Sequence, residues 1–398
     1  MNRKTFAYII ALLIDLSNAS IYLGLAFHLK EKLNASDFEI GLIGSLCPCS
    51  YAISCIFLDH FFSKRNHIIS MRLGLVILLI CIPPLFFLNT IWWAIPICFF
   101  YHFANALFYP SLQIWMTEGF GRKALQKVMG TYGVAWTTGF IVGPLLGGLA
   151  GQYWVINHWG PKYEGAYYVS LIVAVIVFIA IWFPFKHFIP DENNIKSDID
   201  FTNTKPEDFK NYMMLGWMTN TLGNFCTGVI RFLIPVLMIS DSGGALVLIG
   251  MEKSSYLLPF LSFSLLVTVI VMRYSNIWVL NFKSIIIIQL AVLPACLIFL
   301  FSHNYLLYFI PVIIFGMVNA FGFYTGAVYS LQLGEKGLKY ITINEFLVGL
   351  GGFLGSLVGG VIANFYDSKW AFASPMLMMI LMIILQISLK KKIDRASK

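Results

Sequence analysis

The chain of 398 residues is 59% hydrophobic and only 12% charged, whereas soluble domains carry about a quarter charged residues. This composition, with a mean hydropathy of +0.78, excludes a soluble globular protein and predicts an integral, multi-pass membrane protein. The formal net charge is +8, but the basic residues are dispersed among short polar segments, so the sequence predicts no nucleic-acid partner.

Twelve apolar segments of membrane-spanning length follow one another along the chain. A bilayer requires about 20 helical residues, and the first segment, at 5–29, is long enough to remain as a helix instead of being cleaved as a signal peptide. The others lie near 39–62, 68–90, 91–117, 127–155, 166–185, 211–240, 245–272, 283–302, 304–332, 340–366 and 369–389. We therefore expect an all-α integral membrane fold with twelve transmembrane helices.

The basic residues predict the orientation of these spans, because positive charge beside a span is retained in the cytoplasm. With the amino terminus inside, most of the 27 Lys and Arg residues fall on the cytoplasmic side. Those on the opposite side are Lys30, Lys32, Lys162 and Lys369. Both termini are therefore expected in the cytoplasm, in a bacterial inner membrane.

The first segment contains a carboxylate near its middle. Asp15 is followed at i+3 and i+7 by Asn18 and Tyr22, which fall on the same helix face. An ion left in hydrocarbon costs at least about 2.5–3.5 kcal/mol, so Asp15 should face a cavity or a partner. Because desolvation favours the protonated carboxyl, Asp15 is the best candidate for a proton carrier, with Asn18 and Tyr22 beside the substrate.

The fourth segment contains His102 near mid-membrane. Histidine can accept and release protons near neutral pH, which makes His102 a second candidate for proton coupling. The alternative is a hydrogen-bonded packing residue.

The fifth segment carries small residues at a fixed spacing. Glycine lets two membrane helices approach closely, and proline can bend a helix. The residues concerned are Gly130, Gly139, Gly143, Pro144, Gly147 and Gly148. Their spacing, G-x8-G-x3-GP-x2-GG, resembles the fifth-helix signature of antiporters in the major facilitator superfamily. A tightly packed membrane helix without further role is the alternative.

The long polar segment 188–210 is predicted to be a cytoplasmic linker. It separates an amino-terminal six-helix bundle, 1–187, from a carboxy-terminal six-helix bundle with a basic tail, 211–398. Two such repeats are what the resemblance to the superfamily implies, and that resemblance covers essentially the whole chain.

The two halves also repeat in sequence. A shift of 212 residues places Gly139 on Gly351, and it carries the rest of the fifth-helix pattern onto Gly355, Ser356, Gly359 and Gly360, with serine in place of Pro144. Asn105-Ala106 of the fourth segment recurs as Asn319-Ala320 of the tenth. These echoes support two pseudo-symmetric bundles with glycine packing in both.

The residues after the second segment resemble in part the superfamily pattern G-x3-D-[RK]-x-G-[RK]-[RK]. Asp59, Lys64 and Arg65 keep the acid and the basic pair, whereas both glycines are missing. The resemblance implies a gate that holds the cytoplasmic faces of the two halves together. A cluster that only fixes topology is the alternative.

Charged residues also interrupt apolar segments of the second half. Arg231 lies within 227–235, and Glu252 and Lys253 lie about two turns inside the eighth segment. They can form a structural ion-pair network, or Arg231 and Lys253 can attract an anionic group of the substrate. Glu345, in the eleventh segment, is a further candidate proton carrier, although solvation near the membrane edge would also explain it.

These features predict a proton-coupled secondary transporter that works by alternating access, as a monomer without cofactor or metal. The fifth-helix signature favours antiport, hence export of a drug-like amphiphile or of an anionic metabolite such as a carboxylate siderophore. Proton symport of a nutrient is the main alternative. No GxxxxGK[ST] or H-x4-D motif is present, and Cys47-Pro-Cys49 has the wrong spacing for a redox pair. An intramembrane enzyme using His102 and Asp15, or a non-transporting sensor, are lesser alternatives.

Overall fold

The computed structural model describes residues 3–62, 67–117, 122–182, 206–240, 247–302, 304–333, 337–366 and 368–396, and these residues are almost entirely helical. The helices are α1 (Arg3–Phe27), α2 (Asp37–Phe62), α3 (His67–Phe86), α4 (Ile91–Thr117), α5 (Arg122–Ile156), α6 (Lys162–Trp182), α7 (Pro206–Ser240), α8 (Val247–Tyr274), α9 (Phe282–Leu290), α10 (Val292–Phe301), α11 (Phe309–Leu331), α12 (Gly337–Phe365) and α13 (Ser374–Ala396). A π-helical turn, His28–Lys32, continues α1.

Eleven helical segments of the described residues are long and apolar enough to cross a membrane. One of them, Phe282–Phe301, combines α9 and α10, which are separated only by Ala291. The twelfth segment is α7, which is more polar because Thr219, Asn220 and Asn224 interrupt its apolar residues. All three are buried among the helices, so α7 turns its polar side chains away from lipid. The expected all-α fold with twelve spans is confirmed.

Helix α7 begins at Pro206, inside the predicted linker 188–210. Proline fits the first turn of a helix because its fixed φ is helical and its missing N–H would have no intrahelical partner there. Glu207 and Asp208 follow in the same turn, where negative charge interacts favourably with the helix dipole. The rest of the linker, up to residue 205, lies outside the described residues.

The helices form two groups. In the first half α1 packs against α5 and α6, and α4 packs against α2 and α3; in the second half α7 packs against α11 and α12. The main contacts between the halves are those of α2 with α12 and of α5 with α8. The repeat that relates the two halves makes α2 correspond to α8 and α5 to α12. The two contacts are therefore pseudo-symmetric.

Glycines lie at both of these contacts, against backbone at the first and against an arginine side chain at the second. A β-carbon on Gly41 of α2 would stand 2.6 Å from the Cα atom of Gly360 of α12, and one on Gly130 of α5 would stand 3.3 Å from Cδ of Arg273 of α8. Arg273 also donates a hydrogen bond of 3.1 Å to the hydroxyl of Thr131. Gly130 and Gly360 therefore lie between the halves.

The other glycines of the pattern pack within each half. Gly139 and Gly143 lie against α1, whereas Gly351 and Gly355 lie against α7. Gly147 lies near Ala166 and Ser20, and Gly359 lies near Leu233 and Val229. Pro144 and Gly148 are buried in α5. The repeated sequence pattern thus produces the same helix contact twice, between α5 and α1 and between α12 and α7.

Candidate functional site

A cavity of about 180 Å³ lies between the two halves. Its walls come from α1, α2, α4 and α5 on one side and from α7, α11 and α12 on the other. Six residues singled out by the sequence line it: Asp15, Asn18, Tyr22, His102, Arg231 and Glu345. Asp15, Arg231 and Glu345 therefore face a shared cavity and not lipid, which removes most of the cost of placing charge at that depth.

Asp15 is held by one carboxylate oxygen only. The hydroxyl of Tyr109 in α4 donates a hydrogen bond to Oδ1, and it accepts one of 2.7 Å from Nδ2 of Asn18. Oδ2 is buried and has no hydrogen-bond partner in the described part of the chain. The carboxyl group is thus fixed in orientation, with one oxygen left for a proton or for a donor group of a solute.

Asn18 connects this carboxyl group to the fourth helix. Its Oδ1 accepts a hydrogen bond from the Tyr101 hydroxyl, and its Nδ2 also lies 3.4 Å from Oδ1 of Asn105. The sequence did not identify Tyr101, Tyr109 or Asn105 as site residues. The tyrosines could not be told apart from the many other aromatic residues of the spans, and only the fold brings Tyr109 onto Asp15 and Tyr101 onto Asn18.

Arg231 of α7 places a cation in the cavity wall. Its guanidinium carbon lies 4.8 Å from the ring centre of Phe140 and 5.6 Å from that of Tyr22. Arg231 and Asp15 interact electrostatically across the cavity. Within the described ranges Arg231 forms no ion pair of 4.0 Å or less, since those found join Lys30 to Asp37 and Lys390 to Asp394. The charge of Arg231 is therefore held by aromatic faces from the opposite half and is available to a ligand.

Glu345 of α12 joins the two halves. It accepts a hydrogen bond of 2.9 Å from the Tyr51 hydroxyl of α2 and one of 3.3 Å from Nε2 of Gln113 of α4. Its side chain is only 5% exposed, so solvation at the membrane edge does not explain this residue. The sequence places Glu345 near the end of a span, but the close packing of α12 against α2 buries it.

His102 belongs to an aromatic wall. Its ring stacks on that of Tyr22 at 5.7 Å, and Tyr22 stacks in turn on Phe140 at 6.2 Å. Trp136 meets Phe140 edge to face at 6.0 Å, and its buried Nε1 has no hydrogen-bond partner among the described residues. One side of the cavity is thus lined by flat aromatic rings.

The opposite wall repeats the asparagine pair of the first half. Nδ2 of Asn319 in α11 lies 3.4 Å from Oδ1 of Asn224 in α7 and 3.1 Å from the Thr227 hydroxyl. Asn18 and Asn105 form the corresponding pair in α1 and α4. The sequence echo at 105 and 319 was the available signal for these residues, which the fold places facing the same cavity.

Several predicted site residues are not placed by the structure. Glu252 and Lys253 lie on α8 and Asp59 lies near the end of α2, but their side chains are not described. Lys64 and Arg65 lie outside the described residues. The gate and the second cation of the substrate site therefore remain sequence predictions.

Comparisons with known proteins agree with this architecture. The family model described as Major Facilitator Superfamily matches residues 7–337. The crystal structure of a bacterial homolog of the human lysosomal transporter Spinster, in an inward-facing and occupied conformation, is 13% identical, with a TM-score of 0.66 over 97% of this chain and 94% of its own. That of the nucleoside transporter NupG is 14% identical, with a TM-score of 0.66 over 98% of this chain and 99% of its own. No curated protein sequence gives a significant match. These likenesses describe the fold.

Proposed function

The chain belongs to the Major Facilitator Superfamily and is a membrane transporter, not an enzyme, and we propose that it couples proton movement to the transport of a small organic solute. The solute binds in the cavity between the halves, which opens alternately to either side of the membrane. The protein works as a monomer in the bacterial inner membrane, with both termini in the cytoplasm and no cofactor.

The observation that carries the proposal is the position of Asp15 and Arg231 on opposite walls of one cavity. Asp15, in the first half, has a free carboxylate oxygen that can take up a proton. Arg231, in the second half, has a guanidinium without an ion-pair partner in the described ranges. A proton site and an anion site thus share the space that a rocking motion of the halves would expose to each side in turn.

The charge of the solute then determines the direction of coupling. An anion and the carboxylate of Asp15 compete for the same cation, so the anion binds more tightly when Asp15 is protonated. By reciprocity, anion binding favours protonation to the same extent. Proton and anion therefore travel together, and the geometry favours symport of an anionic solute, which the sequence left as the alternative.

Antiport is the second candidate function, and one specific observation favours it. Helix α5, which carries the antiporter-like pattern, packs with Gly139 directly against Asp15 of α1. A cationic or neutral solute would use the free oxygen of Asp15 itself, so that solute and proton would exclude each other. Export by exchange for a proton would then result.

Glu345 is the proposed link between proton binding and the rocking motion. Its hydrogen bonds to Tyr51 and Gln113 cross from one half to the other, so they must break when the halves separate at that level. Protonation of Glu345 would weaken the acceptor in both bonds. His102 remains a candidate proton-coupling residue, and Asp59, Lys64 and Arg65 remain the candidate gate.

The experiment is proton flux in proteoliposomes that contain a pH-sensitive dye. Organic anions, neutral solutes and cations are added in turn, and protein-free liposomes correct for passive permeation of weak acids. We expect anions to draw protons inward through the wild-type protein but not through Asp15→Asn. Cation-driven proton movement in the opposite direction would establish antiport, and absence of protein-dependent flux with all three classes would contradict proton coupling.

A further inference from the structure

The size of the cavity limits its occupant. An engineered protein cavity of about 150 Å³ holds benzene, whereas sites for drug-sized ligands span about 300–1,000 Å³. The cavity here, at about 180 Å³, has room for one ring with a small substituent. A large siderophore or a multi-ring amphiphile does not fit this conformation.

The walls specify the shape of that occupant. Tyr22, Phe140 and Trp136 present ring faces and edges within one continuous aromatic contact. Aromatic rings favour offset-stacked and edge-to-face partners at centre distances of about 4.5–7 Å. Phe323 extends the same wall from the second half, with an edge-to-face contact of 5.8 Å to Trp136. A flat aromatic ring therefore gains more from this wall than an aliphatic group of equal volume.

Arg231 specifies the charge of the occupant. The guanidinium carbon of Arg231 lies over the Phe140 ring, and no carboxylate of the described residues forms an ion pair with this group. That planar fork matches a carboxylate, which can accept two parallel hydrogen bonds. Asn224 and Thr227 lie seven and four residues before Arg231, on the same face of α7, and both line the cavity. They can bind a second polar substituent of the solute.

From these features we infer that the substrate is a small aromatic monocarboxylate whose carboxylate binds Arg231 while its ring packs against Tyr22, Phe140 and Trp136. The inference rests on the proposed transport function and names the substrate class of that same site. It narrows the cargo expected from the sequence to a single-ring organic acid.

The test is calorimetric binding to the purified full-length protein in detergent, which requires no membrane gradient. The probes are benzoate, benzamide as its neutral analogue, benzylammonium as a cation, and cyclohexanecarboxylate as an anion without an aromatic ring. We expect benzoate to bind about tenfold or more tightly than each of the other three. Equal or stronger binding of benzamide or benzylammonium would overturn the charge assignment, and equal binding of cyclohexanecarboxylate would overturn the aromatic assignment.

Variants locate the binding site. Arg231→Gln should weaken benzoate binding by about tenfold or more and leave benzamide unchanged, and Arg231→Lys, which keeps the charge but not the fork, should give an intermediate loss. Arg72→Gln is the matched control, because Arg72 also lies over an aromatic ring, 4.9 Å from that of Trp182, but outside the cavity. Unchanged benzoate binding in a folded Arg231→Gln protein would refute the assignment.

The proposed substrate class and the proposed proton coupling can be refuted independently of each other. If benzoate does not bind but other solutes move protons through the protein in an Asp15-dependent way, the substrate class is wrong and the transport function stands. If benzoate binds through Arg231 but no proton movement accompanies any solute, the substrate class stands and proton coupling is wrong.

Discussion

Gly139 of α5 lies so close to Asp15 of α1 that a β-carbon at position 139 would stand 3.0 Å from the β-carbon of Asp15. Such a β-carbon would also stand 2.9 Å from the Leu16 backbone nitrogen and would overlap the Leu12 carbonyl oxygen. The helix with the antiporter-like glycine pattern thus packs on the backbone that carries the proposed proton site. A shift of α5 relative to α1 would move the surroundings of Asp15 directly.

Gly139→Ala should therefore impair the protein although the change adds a single methyl group. Overpacking against rigid backbone costs about 1–3 kcal/mol, which exceeds the gain of up to about 1 kcal/mol in helix propensity. Gly147→Ala is the control, because its β-carbon would lie 3.3 Å from that of Ala166, and the neighbour has to give only slightly. We expect Gly139→Ala, but not Gly147→Ala, to lower the thermal stability and the transport rate. The measurements are fluorescence-detected melting and proteoliposome flux. Equal effects at both positions would show that the close approach at Asp15 is dispensable.

Asp15→Asn should uncouple solute movement from protons. Asparagine keeps the shape of the side chain and an oxygen that accepts from Tyr109, but it cannot exchange a proton at neutral pH. In the wild type, transport by symport should fall as the pH rises and Asp15 loses its proton, whereas the variant should show a flat profile. Solute exchange without a proton gradient should persist in the variant.

The matched control for this change is Asp37→Asn, at an aspartate that pairs with Lys30 and Ser368 outside the cavity. It should leave proton coupling unchanged. Retention of the wild-type pH profile by Asp15→Asn would assign the proton to another residue.

Tyr51→Phe should loosen the contact between the halves. It removes the shorter hydrogen bond to Glu345 while Gln113 still donates at 3.3 Å. A side-chain hydrogen bond contributes about 0.5–1.5 kcal/mol, and more when one partner is charged, so the cavity should open several times more often. Cys47 lines the cavity, and alkylation by a water-soluble maleimide in a variant with Cys47 as its sole cysteine reports this opening.

Tyr153→Phe controls for the loss of a hydroxyl, because Tyr153 is 55% exposed and does not line the cavity. Glu345→Gln combined with Tyr51→Phe completes a double-mutant cycle. If the alkylation rate of Cys47 is the same in the wild type and in Tyr51→Phe, the bond does not hold the halves together.

Gln386→Leu should destabilise the second half. Nε2 of Gln386 donates to the Leu215 carbonyl and to the Thr219 hydroxyl, each at 3.0 Å, and its Oε1 accepts from Nε2 of Gln289 at 2.7 Å. All of these side chains are fully buried, so removal of one amide leaves partners unsatisfied, at a cost of about 1–3 kcal/mol.

Gln289→Leu in the same chain should recover part of that loss, because the pair is then removed together. Ser388→Ala, at an exposed position of α13, should leave the melting temperature nearly unchanged. Additive losses in the Gln289 and Gln386 variants would indicate that the two amides act independently.

Much of the fold could be predicted from the sequence, because the bilayer restricts which segments can span it. A span must be long, apolar and helical, so the twelve segments could be read from hydropathy, and even the polar α7 was found. The same rule identified Asp15, Arg231 and Glu345, since charged side chains within spans require a cavity or a partner. The sequence could not decide between the edge and the interior for Glu345, because that depends on how closely α12 packs against α2.

The amino-acid order by itself determined the class of protein, the number of spans, the two-fold repeat and the candidate ionisable residues, because each of these depends on local composition or on spacing along one helix. Tertiary structure alone decided that Tyr109 holds Asp15, that Phe140 and Tyr22 hold Arg231, and that Tyr51 holds Glu345. Each of these contacts joins different helices, and those of Arg231 and Glu345 join different halves. Their physical basis is the close approach of helix backbones, which no pattern within a single segment can specify.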